Sequence, residues 1–207
     1  MISVQTRTSR VPRSQRLAPT LVNLPSRTMA VFHTIGDPND VGPKVIPALY
    51  GAVYTLKFNL KKKGVSFTVE PLRARWSSPF LDEDGNVVGD PSTWKGAWGM
   101  PIPDGTASLA QKSPDVEVTV EKWDYGDVAQ ILHEGPYKAE FPTIQRLRAF
   151  ILDQGYDIVG PHEEEYLTRP TARIPRTIIR YAVRVVKSQR PDSSGSMTTA
   201  KEHVAAQ

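Results

Sequence analysis

Within His162-Glu163-Glu164-Glu165-Tyr166, three consecutive acids lie between an imidazole and a phenol. If this run is a strand, alternation sends His162, Glu164 and Tyr166 to one face and Glu163 and Glu165 to the other. A carboxylate beside an aromatic ring in an apolar cleft has two uses. It can be the counter-ion of a cationic aromatic guest, helped by cation–π contact. It can also be a general base that activates water against a bound electrophile. A plainer reading stands beside these, in which the run is a solvated acidic strand end.

An internal repeat bears on that choice. Val53, Leu56, Leu60 and Gly64 recur as Ile144, Leu147, Ile151 and Gly155, each 91 residues further on. Each set is an apolar stripe at i, i+3 and i+7 that ends on a glycine. Pro71 and Pro161 follow, and five residues later come Trp76 and Tyr166. The chain therefore reads as two copies of a β-α-β-β unit, and a pseudo-two-fold pair of such units has a cleft at its centre. Glu164 stands where the first copy has Ala74, so one wall of an apolar, aromatic cleft carries an acid. Perturbed acids in clefts tend to be functional, which gives the functional reading weight equal to the plain one.

The elements that must position these residues follow from the pattern. Leu21 to Leu24 is a short extended run, and Thr28 to Ile35 a strand stopped by the turn cluster Gly36-Asp37-Pro38-Asn39-Asp40. A helix is expected from about Lys44 to Lys63, with Tyr50, Tyr54 and Phe58 beside its apolar stripe and Gly64 as its C-cap. Val65 to Trp76 alternates as a strand, 77–92 is a hairpin loop, and Trp94 to Ile102 is a strand with Trp98, Met100 and Ile102 on one face. In the second copy Val116, Val118 and Val120 alternate as a strand that turns at Tyr125-Gly126-Asp127 and pairs with Val128 to His133. A helix over about Phe141 to Gln154 and strands over Tyr156–Leu167 and Thr177–Val186 complete it. Trp76, Trp94 and Trp98 are pocket walls or ordinary core, since tryptophan usually packs the core.

Composition excludes several classes. The chain has 207 residues, 39% of them hydrophobic, which is enough for a core, and no apolar stretch approaches the ~20 residues of a membrane span. It has no cysteine, so disulfides and thiolate metal sites are excluded. The four histidines, His33, His133, His162 and His203, are scattered, and no metal site is expected. No phosphate loop, dinucleotide fingerprint or nucleophile elbow is present, and no cofactor is expected. The net charge of +4 resides in Arg7, Arg10, Arg13 and Arg16, so the rest is neutral and no nucleic-acid-binding face is expected on the globular part. The acid-poor residues 1–20 read as a disordered lead-in and 188–207 as a disordered tail.

Several motifs carry a family resemblance. Leu21-Val-Asn-Leu-Pro25, Gly36-Asp-Pro-Asn39 and Ala48-Leu-Tyr50 running into Tyr54-Thr-Leu-Lys-Phe58 resemble the first half of the GyrI-like small-molecule-binding domain. Leu132-His-Glu-Gly-Pro-Tyr137, Thr143-Ile-x-Arg-Leu-x-Ala-Phe150 and Gly160-x-His-x-Glu-x-Tyr-Leu-x-x-Pro170 resemble its second half. The motifs occur in the family's order over about residues 20–187. The resemblance implies an α+β pseudo-dimer of β-α-β-β units, with repeats at about 21–105 and 116–187, whose antiparallel sheets and two helices enclose a central ligand cleft. It implies a cytoplasmic, stand-alone binder of bulky, lipophilic, often cationic aromatic compounds. Glu164 matches the family's pocket acid, Tyr166 its aromatic partner and Trp76 the aromatic that ends the corresponding strand. Trp98 is a further expected wall, with Tyr54 and Tyr137 as secondary candidates.

Some stand-alone members resembling this chain are hydrolases that open the cyclopropane of DNA-alkylating cyclopropanoids, a detoxification in which Glu164 would be the base and Tyr166 the oxyanion stabiliser. A regulator that engages a protein partner through the arginine-rich arm is a third possibility. The triple acid run, Arg169 in place of the usual Asp, and the 77–92 loop depart from the family pattern, which bears on substrate range. Oligomeric state is not legible.

Overall fold

The computed structural model describes residues 17–77, 82 and 88–186. The arginines of the lead-in, most of the 77–92 loop and the tail lie outside these residues.

The chain order is β1 (Thr20–Leu24), β2 (Arg27–Ile35), α1 (Pro38–Lys62), β3 (Arg73–Ser77), β4 (Lys95–Pro101), β5 (Thr119–Trp123), β6 (Gly126–Glu134), α2 (Phe141–Asp153), β7 (Tyr156–Ile158), β8 (His162–Tyr166) and β9 (Arg176–Val185). Every strand pairing is antiparallel, in the order β1-β6-β9-β8-β3-β4-β2-β5, with β7 added on β9. The order is symmetric about the β8–β3 junction, so the two repeat units are related by a pseudo-two-fold axis there. At that junction Ala74 pairs with Glu164, with Trp76 opposite His162 and Arg73 opposite Glu165. The two repeat-equivalent positions thus meet each other, and the acid that breaks the repeat stands on its axis.

One expected pairing is corrected. The strand before β6 does not form a hairpin with it: β5 pairs with β2, and β1 pairs with β6. The register runs on across the breaks, since Leu24 faces Gly126 and Arg27 faces Trp123, a step of three on each strand. Only Pro25-Ser26 and Asp124-Tyr125 separate the segments. Each unit therefore lends its first strand to the other, and these exchanged pairings tie the halves together. Alternation within one run cannot reveal this, because β5 presents the same apolar face to either partner.

The first helix begins earlier than its periodicity suggests. Asp37 caps it, accepting a hydrogen bond from Asn39 N at 2.8 Å, and Pro38 takes the first turn, where its missing N–H costs nothing. The turn cluster 36–40 is thus a helix start. Both helices end as the repeat implies. Gly64 and Gly155 have φ of +80° and +75°, and Val65 N donates to Leu60 O at 3.0 Å, closing the first helix in a Schellman motif. Of the expected strand 65–76 only 73–76 lies in the paired strand, which runs on to 77, because β4 and β8 offer partners to that stretch alone. The strand expected over 156–167 is split in two around Gly160, where an added Cβ would come within 2.9 Å of Ala182 Cβ.

The α1 stripe buries Val45, Leu49, Ala52 and Val53 against β2 and β4. Ile144, Leu147 and Ile151 of α2 pack on β6, β7 and β9. The helices cover the outer strands of each half, which leaves the central β3–β8 pair as the floor of a groove between them. On the other face, Met29, Val31, Trp123, Tyr125 and Val128 form a third cluster. Among the described residues no helix is long and apolar enough to cross a membrane.

Candidate functional site

The groove is a cavity of about 1450 Å³ lined by both helices and by β3, β4 and β8. Every residue singled out from the sequence lines it: Glu164, Tyr166, Trp76, Trp98, Tyr54 and Tyr137. The rings form a wall that crosses the pseudo-two-fold axis. Trp76 meets Trp98 edge-on at 5.2 Å, Trp98 stacks with Tyr166 at 6.4 Å, and Tyr137 meets Tyr166 edge-on at 5.6 Å. Trp98 is anchored by its indole N–H, which donates to the buried Thr34 hydroxyl at 3.1 Å. Tyr54 stands nearer the surface, stacked on Tyr50 at 6.3 Å along α1. Trp94 lines the same space, its indole N–H donating to Val88 O at 3.0 Å.

Strand alternation divides the acidic run as expected. Glu164 faces the cavity and is 8% exposed. His162 Nε2 lies 3.0 Å from its Oε1, and His162 Nδ1 lies 2.8 Å from the Tyr181 hydroxyl. Tyr181 also takes a hydrogen bond from Arg148, so its own proton is free for Nδ1. The imidazole then donates Nε2–H to the Glu164 carboxylate. The Tyr166 hydroxyl is hydrogen-bonded to Glu164 as well. Burial, then the charge of Glu164, holds the Tyr166 phenol well above its ordinary range. The same causes push Tyr137 up to about 12. Both phenols therefore keep their protons and can only donate toward an anion at neutral pH.

Glu163 and Glu165 have a structural role on the opposite face. Arg180 Nη1 and Arg75 Nε each reach Glu163 at 2.6 Å, and Arg180 Nη2 reaches Glu165 at 3.0 Å. Arg73 lies 3.4 Å from Glu165 and donates to the Tyr125 hydroxyl at 2.7 Å. Arg75 stacks over Trp123 at 4.1 Å. These contacts clamp β3 and β9 onto β8, so two of the three acids are spent on joining the halves.

The sequence reading passed over Glu140. It precedes α2 at the N-cap position, where an acid ordinarily binds its own helix. Here it makes no cap hydrogen bond, is 5% exposed and lines the cavity. Burial, then the charge of Glu164, raises its carboxyl to about 9. The cavity thus holds two acids in different settings, Glu164 bonded by an imidazole and a phenol, and Glu140 held in its protonated form. Lys138 and Arg169 add cations to its lining. Among the described residues no cluster of three or more His, Asp or Glu could hold a metal ion.

Comparison with known proteins agrees with this geometry. The family model of the GyrI-like small molecule binding domain matches residues 17–185. Among solved structures, the chain is similar to an uncharacterized conserved protein from Listeria innocua, with 23% identity and a TM-score of 0.68 over 82% of this chain and 93% of that one. A hydrolase from Listeria innocua is similar at 22% identity and a TM-score of 0.67, with the same shares covered. The C-terminal domain of EcmrR is similar at 14% identity and a TM-score of 0.54, over 81% of this chain and 98% of that one. At these identities the likeness is one of fold. No curated protein matches the chain.

Proposed function

Because the chain belongs to the GyrI-like small-molecule-binding domain family, we propose that its cavity takes bulky, lipophilic, cationic aromatic compounds, with Glu164 as counter-ion. The observation that carries this reading is one buried acid, Glu164 on the central β3–β8 pair, in a cavity of about 1450 Å³ walled by Trp76, Trp98 and Tyr166. Such a cavity is wide enough for several fused or clustered rings. A lipophilic cation loses little hydration on entry, and the ring faces and Glu164 replace it. The His162 N–H and Tyr166 O–H aim the carboxylate, so the site is organised before the guest arrives.

A second reading rests on the Glu164–Tyr166 pair. A carboxylate that takes a proton beside a phenol that keeps one is a base and an anion stabiliser side by side. On a spiro-cyclopropyl dienone, Glu164 takes a proton from water as its oxygen bonds to a ring CH2. The cyclopropane C–C bond breaks, its electron pair runs to the carbonyl oxygen, and the resulting phenolate, hydrogen-bonded by Tyr166, takes a proton from solvent while Glu164 returns the one it took from water to solvent. The product is substrate plus one water, and the reaction detoxifies an alkylating agent.

One experiment separates the readings. The purified protein is incubated with lipophilic cations and with cyclopropanoids, and the mass of each compound is followed. Catalytic gain of one water on the cyclopropanoids makes the protein a hydrolase. Compounds bound saturably and recovered unchanged make it a binder. Neither binding nor turnover by any of them refutes both readings.

A further inference from the structure

Glu140 is an acid of the cavity wall for which neither reading above has a use. It sits on a different element from Glu164, at the start of α2, and its carboxyl makes no hydrogen bond to the helix N–H groups. It is 5% exposed, and its Oε1 has no hydrogen-bond partner. The groups that face it are Glu164 and Tyr166 from β8, Tyr137 from its own turn and Thr177 from β9. His133, on β6, is engaged with the Thr143 hydroxyl at 2.9 Å and Pro136 O at 3.3 Å. Thr177, whose hydroxyl also lacks a well-formed partner, eases a charge on Glu140, and no cation contributes to its balance.

We infer that Glu140 is a second ligand-binding acid that shares one proton with Glu164, so that a lipophilic monocation binds by displacing that proton and a lipophilic dication is held by the fully ionised pair. The inference rests on the cation-binding reading above. Two buried carboxylates on one cavity wall oppose each other's ionisation, and neither Lys138 nor Arg169 of the lining contributes to the balance of Glu140. The two differ in what stabilises a charge. Glu164 has an imidazole N–H and a phenol beside it, whereas Glu140 has an orphaned oxygen, so the shared proton resides on Glu140. A cation in the cavity supplies what Glu140 lacks. Its carboxyl then ionises, and the guest gains a second anion to face.

Linkage gives this a measurable form. Where binding releases a proton, affinity rises with pH, by up to about tenfold per unit. Glu140→Gln keeps the shape and neutrality of the protonated acid and removes the proton. The test is calorimetric titration with tetraphenylphosphonium between pH 7 and 9, in two buffers with different heats of ionisation. The wild-type protein is expected to release up to one proton per cation and to bind more tightly as pH rises. Glu140→Gln is expected to bind with no release and with an affinity independent of pH. At pH 9 an amphipathic bis-cation such as dequalinium is expected to bind the wild type at least tenfold more tightly than Glu140→Gln.

Binding without proton release in the wild type, or equal release in the variant, overturns the inference and leaves the cation-binding reading standing. No saturable binding of tetraphenylphosphonium by the wild type overturns that reading and the inference together. A melting curve for Glu140→Gln accompanies the titration. If this variant does not fold, equal affinity of the wild type at pH 7 and pH 9 overturns the inference.

Discussion

Replacing Glu164 by Gln isolates the charge at the centre of the cavity. Gln has nearly the same volume, and its amide oxygen can still accept from His162 N–H, so the wall keeps its shape. The charge alone is lost. Two unit charges about 5 Å apart at an effective dielectric of about 20 attract by about 3 kcal/mol. Stripping water from a carboxylate that is 8% exposed, and from the cation, returns part of that, which leaves about 2 kcal/mol, or roughly thirtyfold in Kd. The assay is quenching of tryptophan fluorescence, since Trp76, Trp94 and Trp98 line the cavity. Tetraphenylphosphonium is compared with triphenylphosphine oxide, a neutral molecule of related shape. Glu164→Gln is expected to weaken the cation by tenfold or more and the neutral compound by less than threefold. Equal loss on both, or a loss below threefold on the cation, refutes the counter-ion argument.

The folded protein favours protonated Glu140, at about 9 against 4.5 for the free acid, so stability is full below pH 4.5 and falls as pH rises toward 9. Glu140→Gln should therefore melt well above the wild type at pH 8, by on the order of 2 kcal/mol, with the gap closing near pH 5; parallel melting curves across that range refute this. Arg180→Met removes the shared partner of Glu163 and Glu165, which are 3% and 8% exposed, and should cost about 3 kcal/mol or more in denaturant melting. A loss below 1 kcal/mol would show that Arg75 and Arg73 suffice. Gly96→Ala places a Cβ 2.6 Å from Trp76 Cζ3 and 2.9 Å from Thr34 Oγ1, so it should cost about 1–3 kcal/mol and blunt ligand binding by displacing the wall; unchanged binding and melting refute it. If the protein is a hydrolase, Tyr166→Phe should lower kcat by tenfold or more with little change in KM, and unchanged kcat removes Tyr166 from the reaction.

The sequence by itself determined the repeat, its helices and their glycine ends, because apolar spacing and a left-handed C′ residue are local requirements that each copy meets separately. It also determined which face of β8 each acid occupies, since that depends only on alternation, and it set Glu164 apart by comparison with Ala74. Two kinds of fact were decided by the tertiary structure. The exchange of β1 and β5 depends on which partner an apolar strand finds, and the strand carries no mark of that partner. The role of an acid depends on what surrounds it. Glu163 and Glu165 read as part of a solvated run until Arg73, Arg75 and Arg180 arrive from two other strands to pair with them. Glu140 carries no local mark in the sequence, and only packing puts its carboxyl on the cavity wall with a Glu164 that lies 24 positions along the chain and on a different element. Electrostatic environment is a property of neighbours in space, and no periodicity in one run of residues encodes it.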